Sequence, residues 1–123
     1  MTAGRPALRQ ELEERLLSFA AGCMKLTGRL GRTMEGRYVI GQLMRASASA
    51  GTNYQESCAA ESRADFVHKL QIVLKELRES EYWLKLMRRG ALLPDSTTGP
   101  LLAEAEQLVK ILAKSVITTK SRL

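Results

Sequence analysis

One histidine, two cysteines and thirteen acidic residues are the groups from which this chain of 123 residues would have to build a reactive centre. Asp65 and His68 stand at i and i+3, the spacing at which a carboxylate and an imidazole project from one helix face. A di-iron bundle needs two Glu-x-x-His pairs and two further carboxylates, which a single histidine cannot supply. His68 also falls off the apolar seam of its own segment, so a surface or boundary position is expected. Cys23 and Cys58 fit neither a disulfide framework nor a zinc site of about four clustered ligands, and read as reduced, buried thiols. Nucleophilic catalysis needs a Ser or Cys beside a base and an orienting group, and the lone His sits in no such pattern. A phosphate-cradling GxxxxGK[ST] loop is missing too. The expectation is a protein with no metal, no cofactor and no enzymatic activity.

Polar residues on apolar faces are more informative. Asn53, Glu56 and Glu81 fall on or beside apolar seams, where an unpaired charge costs several kcal/mol. Arg45 and Arg78 are candidate partners. The arrangement reads as a structural polar network or a subunit contact, with Tyr82 and Trp83 beside it as exposed aromatics suited to an interface.

These residues are carried by helices. Leu12, Leu16, Phe19, Cys23, Leu26 and Leu30 recur at steps of four and three, one face of a first helix over about 7–30. Gly31 is its expected C-cap, and Gly36 closes the following turn. Ser62 is a good N-cap with Asp65 three residues on. Phe66, Leu70, Val73, Leu77, Ser80, Leu84 and Met87 then give a heptad seam to a helix over about 62–89, with Val67, Leu74 and Glu81 as a second row. Gly90 is expected to stop it. After a turn of two prolines and a glycine, a last helix over about 99–118 takes Leu102, Ala105, Leu108, Val109, Leu112, Val116 and Ile117 inward.

Between the first and third helices lies RASASAGTNYQES, which looks at first like a linker. Val39, Leu43, Ala46, Ala50, Asn53, Ser57 and Ala60 nevertheless keep the heptad step through it, so a helix over about 36–60 is predicted, its small side chains allowing close approach of neighbours. No stretch alternates like a strand. The fold class is all-α, an antiparallel up-down four-helix bundle forming a single domain. The apolar share of 45% and charged share of 26% suit an ordinary soluble globular chain. No apolar run reaches the roughly 20 residues of a membrane span, and MTAGRPALRQELEE has no signal-peptide core. A cytoplasmic location and no membrane role are expected.

Charge gives the remaining clue. The net charge is +6, a balance that favours polyanionic partners. Antiparallel connectivity brings the end of the first helix, the start of the second, the end of the third and the start of the fourth together. Residues 25–45 carry five basic and one acidic side chain (+4), and 85–95 carry three basic and one acidic (+2), together equal to the charge of the whole chain. Basic residues at helix C-termini complement the dipole, which accounts for Arg29, Arg88 and Arg89 but not for Arg37 at a helix start. Arg29, Arg32, Arg37, Arg88 and Arg89 are the candidate nucleic-acid-binding residues, with Lys25 and Lys85 nearby. Lys110, Lys114, Lys120 and Arg122 form a second basic group at the opposite end.

An ordered set of motifs resembles a known family. Arg45, Ala46, Ser49, Asn53 and Glu56 match Arg-Ala-x-x-Ser-x-x-x-Asn-x-x-Glu; Ser62 and Phe66 match Ser-x-x-Glu-Phe with Asp65 for Glu; Glu79, Glu81 and Tyr82 match Glu-x-Glu-Tyr. Over roughly residues 36–93 the chain resembles the bacterial four-helix-bundle proteins of the 23S ribosomal RNA intervening-sequence family. It departs from them at Gly51, where Pro is frequent, at Ser57, where Gly is frequent, and at Lys75-Glu76, where a small pair is common. The resemblance implies a closed bundle, a ring-like homo-pentamer and no known catalysis. It also implies kinship with the accessory variability determinant of diversity-generating retroelements, hence RNA or DNA and a reverse transcriptase as partners. The leading expectation is a homo-oligomeric bundle that binds nucleic acid nonspecifically. The alternative is a protein-interaction scaffold with no nucleic-acid role.

Overall fold

The computed structural model describes the backbone of residues 4–123 and the side chains from residue 7 onward. Helix α1 spans Gly4–Met24, the short α2 Thr27–Leu30, α3 Met34–Cys58, α4 Arg63–Arg89 and α5 Asp95–Lys120. No strand occurs among the described residues. Helix α3 packs on α1 and α4, α4 packs on α5, and α1 meets α5 more sparsely. Short connections make successive long helices antiparallel, which gives the expected four-helix bundle.

The heptad through RASASAGTNYQES is real. Helix α3 runs unbroken across it, and Leu43, Ala46 and Ala50 are completely buried. Ile40, Ser47 and Tyr54 form a second buried row seven residues apart. Two rows on one helix are what contact with two neighbours requires, and α3 has α1 on one side and α4 on the other. Small side chains matter here because an alanine seam lets two helix axes approach without the large side chains that would hold them apart. Thr33 caps α3, its Oγ1 accepting from the Gly36 N–H at 3.0 Å, and Ser62 caps α4 through the Asp65 N–H at 3.0 Å, as the sequence predicts.

Several boundaries differ from the sequence reading, α1 and α3 already starting at Gly4 and Met34. The first helix does not run straight to Leu30. At Lys25-Leu26 the ladder tightens, with the Leu26 N–H on the Cys23 carbonyl at 3.0 Å and the Arg29 N–H on that of Leu26 at 3.1 Å. Thr27 and Gly28 are poor helix formers, and i→i+3 bonding lets Leu26 and Leu30 both stay buried. The last helix starts at Asp95, not 99, and continues to Lys120. Thr98, completely buried, donates to the Pro94 carbonyl at 3.4 Å in that extra first turn, and Pro100 is accommodated on its exposed side. Ile117, expected inside, is 69% exposed, while Val116 beside it takes the inward position at 8%. The α3 helix also stops at Cys58, two residues short of the predicted end.

Termination of α4 is displaced by one residue from the glycine that should provide it. The Ala91 N–H bonds the Arg88 carbonyl at 3.1 Å and the Leu92 N–H that of Met87 at 2.9 Å, the paired closing bonds of a Schellman turn. Gly90 keeps φ at −82°, whereas Ala91 takes the left-handed φ of 57°. A Cβ in that region costs about 1 kcal/mol. Ala91→Gly should therefore stabilise the fold by about 1 kcal/mol, read as a higher midpoint in thermal or denaturant unfolding.

Candidate nucleic-acid interface and polar seam

The bundle brings the predicted cations to one end. Arg29 and Arg32 come from α2 and the following turn, Arg37 from the first turn of α3, Arg88 and Arg89 from the last turn of α4, and all five are exposed. Arg29 Nη1 donates to Thr97 Oγ1 of α5 at 2.9 Å. Arg37 Nη1 donates to the Gly31 carbonyl at 3.2 Å, an acceptor that offsets its unfavourable place at a helix start. Arg88 faces Asp95 at 3.4 Å. Arg32 and Arg89 have no ion-pair partner among the described residues. These bonds tie α2, α3, α4 and α5 into one surface, and Thr97 and the Gly31 carbonyl are members of it that residue type alone does not reveal.

The polar seam is rearranged relative to expectation. Arg45 reaches from α3 to α4, but its partners are Glu76, at 3.0 Å, and Glu79, not Glu56 or Glu81. Glu76 is a buried carboxylate, only 6% exposed, so Arg45 supplies the charge that its burial demands. Glu56 faces Lys69 at 3.8 Å and Glu81 faces Lys85 at 2.8 Å. Asn53 donates within its own helix, to the Ser49 carbonyl at 2.9 Å and Ser49 Oγ at 3.0 Å. Arg78 is exposed and has no ion pair among the described residues. Of Arg45, Asn53, Glu56, Arg78, Glu81 and Tyr82, the structure thus joins only Arg45 to the opposite helix through a buried acid. A second bridge, Arg15 to Glu104 through Nε at 3.0 Å and Nη2 at 2.7 Å, fastens α1 to α5.

The hydrogen bond from Arg45 holds the Glu79 carboxyl below its ordinary value. A depressed folded pKa contributes stability that is present above the unfolded value of about 4.3 and is lost as pH falls through the folded one. Acid unfolding should therefore include a component below about pH 4 that Arg45→Met removes. Denaturant midpoints measured from neutral pH downward would converge for the two proteins at low pH; a constant gap throughout would sink the assignment.

An aromatic cluster flanks this pair. Trp83 lies edge-on to Tyr38 of α3, with ring centroids 5.8 Å apart, and to Tyr82 at 5.1 Å. Among the described residues its buried Nε1 has no acceptor in full hydrogen-bond geometry, the Glu79 carboxylate being near enough to feel it. Tyr38 and Tyr82 are 60% and 57% exposed. Tyr38 is the member that the sequence motifs do not single out.

Reactive groups are otherwise committed or isolated. Ser47, Ser57 and Ser80 are buried and each donates to a carbonyl one turn back in its own helix. Burial pushes the Cys23 thiol up to about 12. Cys58, expected to be buried, is only half-buried, its thiol 3.6 Å from Glu13. His68 is exposed. Among the described residues no three His, Cys, Asp or Glu gather into a metal-binding group, and no helix is long and apolar enough to cross a membrane.

Comparison with known proteins places this architecture. A family model described as 23S rRNA-intervening sequence protein matches residues 11–114. A crystal structure from Bacteroides thetaiotaomicron VPI-5482, described as a protein with unknown function from the S23 ribosomal protein family, superposes with a TM-score of 0.80 at 30% identity, covering 85% of this chain and 97% of that one. No curated protein matches.

Proposed function

The chain belongs to the 23S rRNA-intervening sequence protein family, and from that premise we propose that it is a non-enzymatic, homo-oligomeric helical bundle that binds RNA or DNA through phosphate contacts. The observation that carries the reading is the convergence of Arg29, Arg32, Arg37, Arg88 and Arg89 on one end of a bundle whose net charge is +6. Cations held by short hydrogen bonds on separate helices form a preset surface for phosphates, which accept from arginine in the same geometry as the carbonyl and hydroxyl oxygens now occupying them. Contacts of this kind fix position on a strand without reading bases. In an oligomer each protomer adds such a surface. Electrophoretic mobility shift with an Arg37→Ala, Arg88→Ala, Arg89→Ala variant tests the proposal. Affinity should drop at least tenfold for every nucleic acid tried, at about 1 kcal/mol or more per lost contact, and an unchanged affinity would refute it.

Self-association is the second part of the reading. Tyr38, Tyr82 and Met34, at 76% exposure, are large side chains left in water on the α3–α4 face, and aromatic residues and Met are enriched at protein contacts. Light scattering should give a multiple of the chain mass, a pentamer on the family resemblance, and Tyr82→Glu should shift it toward monomer. The same face supports a second reading, a scaffold for another protein. The resemblance to retroelement accessory proteins makes a reverse transcriptase one such partner. Purified protein free of nucleic acid and showing no mobility shift at low salt would favour the scaffold.

A further inference from the structure

The end of the bundle remote from the arginine cluster holds a cleft of about 820 Å³ between α1 and α5. It exists because these two helices meet sparsely and because Arg15 and Glu104 clamp them farther along. Its volume lies within the range of small-ligand sites, about 300–1,000 Å³. The lining is apolar in its depth, with Leu12 of α1, Phe66 and Leu70 of α4 and Ile111 of α5.

Two features give it polarity. Tyr54 lines the cleft and is 8% exposed; the weak Cys58 thiol is its hydrogen-bonding neighbour, with the charges of Arg9 and Glu13 near enough to act on it. Arg9 also lines the cleft, near enough for its charge to act on both Tyr54 and Cys58, and it forms no ion pair among the described residues. Across the opening stands Lys114 of α5, likewise without one. Glu13 sits against Cys58, Arg15 is taken by Glu104, and Glu11 also lines the cleft, so Arg9, Lys114 and Arg122 outweigh one lining carboxylate and leave the mouth net positive.

We propose that this cleft binds a small amphipathic anion, an aliphatic chain ended by a carboxylate. The chain lies on Leu12, Phe66, Leu70 and Ile111, and the carboxylate accepts from the Tyr54 hydroxyl and from Arg9, with Lys114 completing the charge match. The site is independent of the arginine cluster, which lies at the other end of the bundle.

Dodecanoate, below its micellar concentration, is the probe, displacing the fluorescent anion 1-anilinonaphthalene-8-sulfonate from the intact protein. Saturable displacement at one site per chain is expected. Arg9→Ala should weaken dodecanoate about tenfold, as loss of a hydrogen bond to a charged group does, and Tyr54→Phe by several-fold, with unchanged thermal midpoints showing that both fold. Dodecanol should bind about tenfold more weakly than dodecanoate. Ile111→Trp should block the site. Absence of displacement, equal affinity for the alcohol, or dodecanoate binding unaltered by both Arg9→Ala and Ile111→Trp would each overturn the proposal. A partner helix seated in the cleft would give the first of these results.

Discussion

Binding of duplex DNA should weaken about 500-fold between roughly 50 and 200 mM salt when all five arginines of the basic end engage phosphates. Each neutralised phosphate releases condensed counterions, so the logarithm of affinity falls with that of salt at about 0.9 per contact on a duplex and about 0.7 on a single strand. Five contacts over a fourfold rise in salt give about 500-fold on the duplex and about 100-fold on single-stranded RNA. The structure qualifies that number. Arg88 would have to leave or share Asp95, and Arg29 and Arg37 would have to turn from Thr97 and the Gly31 carbonyl. Arg32 and Arg89 have no such bond to surrender. A slope corresponding to two contacts per chain would identify those two as the working pair. A slope near five would mean that phosphate oxygens displace the internal acceptors. Fluorescence anisotropy across the salt range reads this directly, and a flat affinity would remove phosphate binding from consideration.

How far such a surface can be read before folding is visible in its members. The convergence of Arg29, Arg37 and Arg88 follows from helix order and short connections alone, because antiparallel neighbours leave little freedom in which ends meet. The partners of those cations do not follow. Two prolines and a glycine place Thr97 in a turn by sequence, whereas the hydroxyl of Thr98, back-bonded to Pro94, and tolerance of Pro100 on the exposed side start the helix early. The polar seam shows the same division. Periodicity on α4 locates the buried stripe, but not which flank of it lies deeper, since that depends on how the helix is rotated between two neighbours. Periodicity marks Val67, Leu74 and Glu81 as a second row beside the seam, and Val67 is indeed buried. On the other side of the seam Glu76 is buried beside the seam residues Val73 and Ser80, and so Arg45 meets Glu76 while Glu81 turns to Lys85. A glutamate next to Lys75 in a heptad looks like a surface residue until the arginine across the seam is in place. The end of α5 shows the same limit, since its apolar pattern runs through both Val116 and Ile117 although only Val116 is buried.

Two glycines of α3 should respond to the same substitution with opposite signs. Gly36 lies in the first turn, pressed against the end of α2. An added Cβ would overlap the Leu30 carbonyl oxygen and stand 2.8 Å from the Thr33 hydroxyl. Neither can yield easily. The carbonyl belongs to the backbone of α2, and the hydroxyl holds the N-cap of α3 through the Gly36 N–H itself. Gly36→Ala therefore has to separate α2 from α3, drawing Leu30, 3% exposed, out of the core. The cost should be about 3 kcal/mol, the upper part of the range for overpacked sites, or roughly 10 °C in thermal midpoint. Gly41, five residues farther along the helix, has no atom within 4 Å of the position a Cβ would take. There Gly41→Ala gains helix propensity without a clash and should raise stability by about 0.5–1 kcal/mol. Equal effects of the two would show that the turn relaxes freely and that Gly36 is there for no reason of space. The opposite ordering carries a functional consequence, because the turn that Gly36 closes also sets Arg29 and Arg32 beside Arg37 and lets Arg37 reach the Gly31 carbonyl. Gly36→Ala, assayed at a temperature where it remains folded, should then lose nucleic-acid affinity while keeping every cation, and Gly41→Ala should lose none.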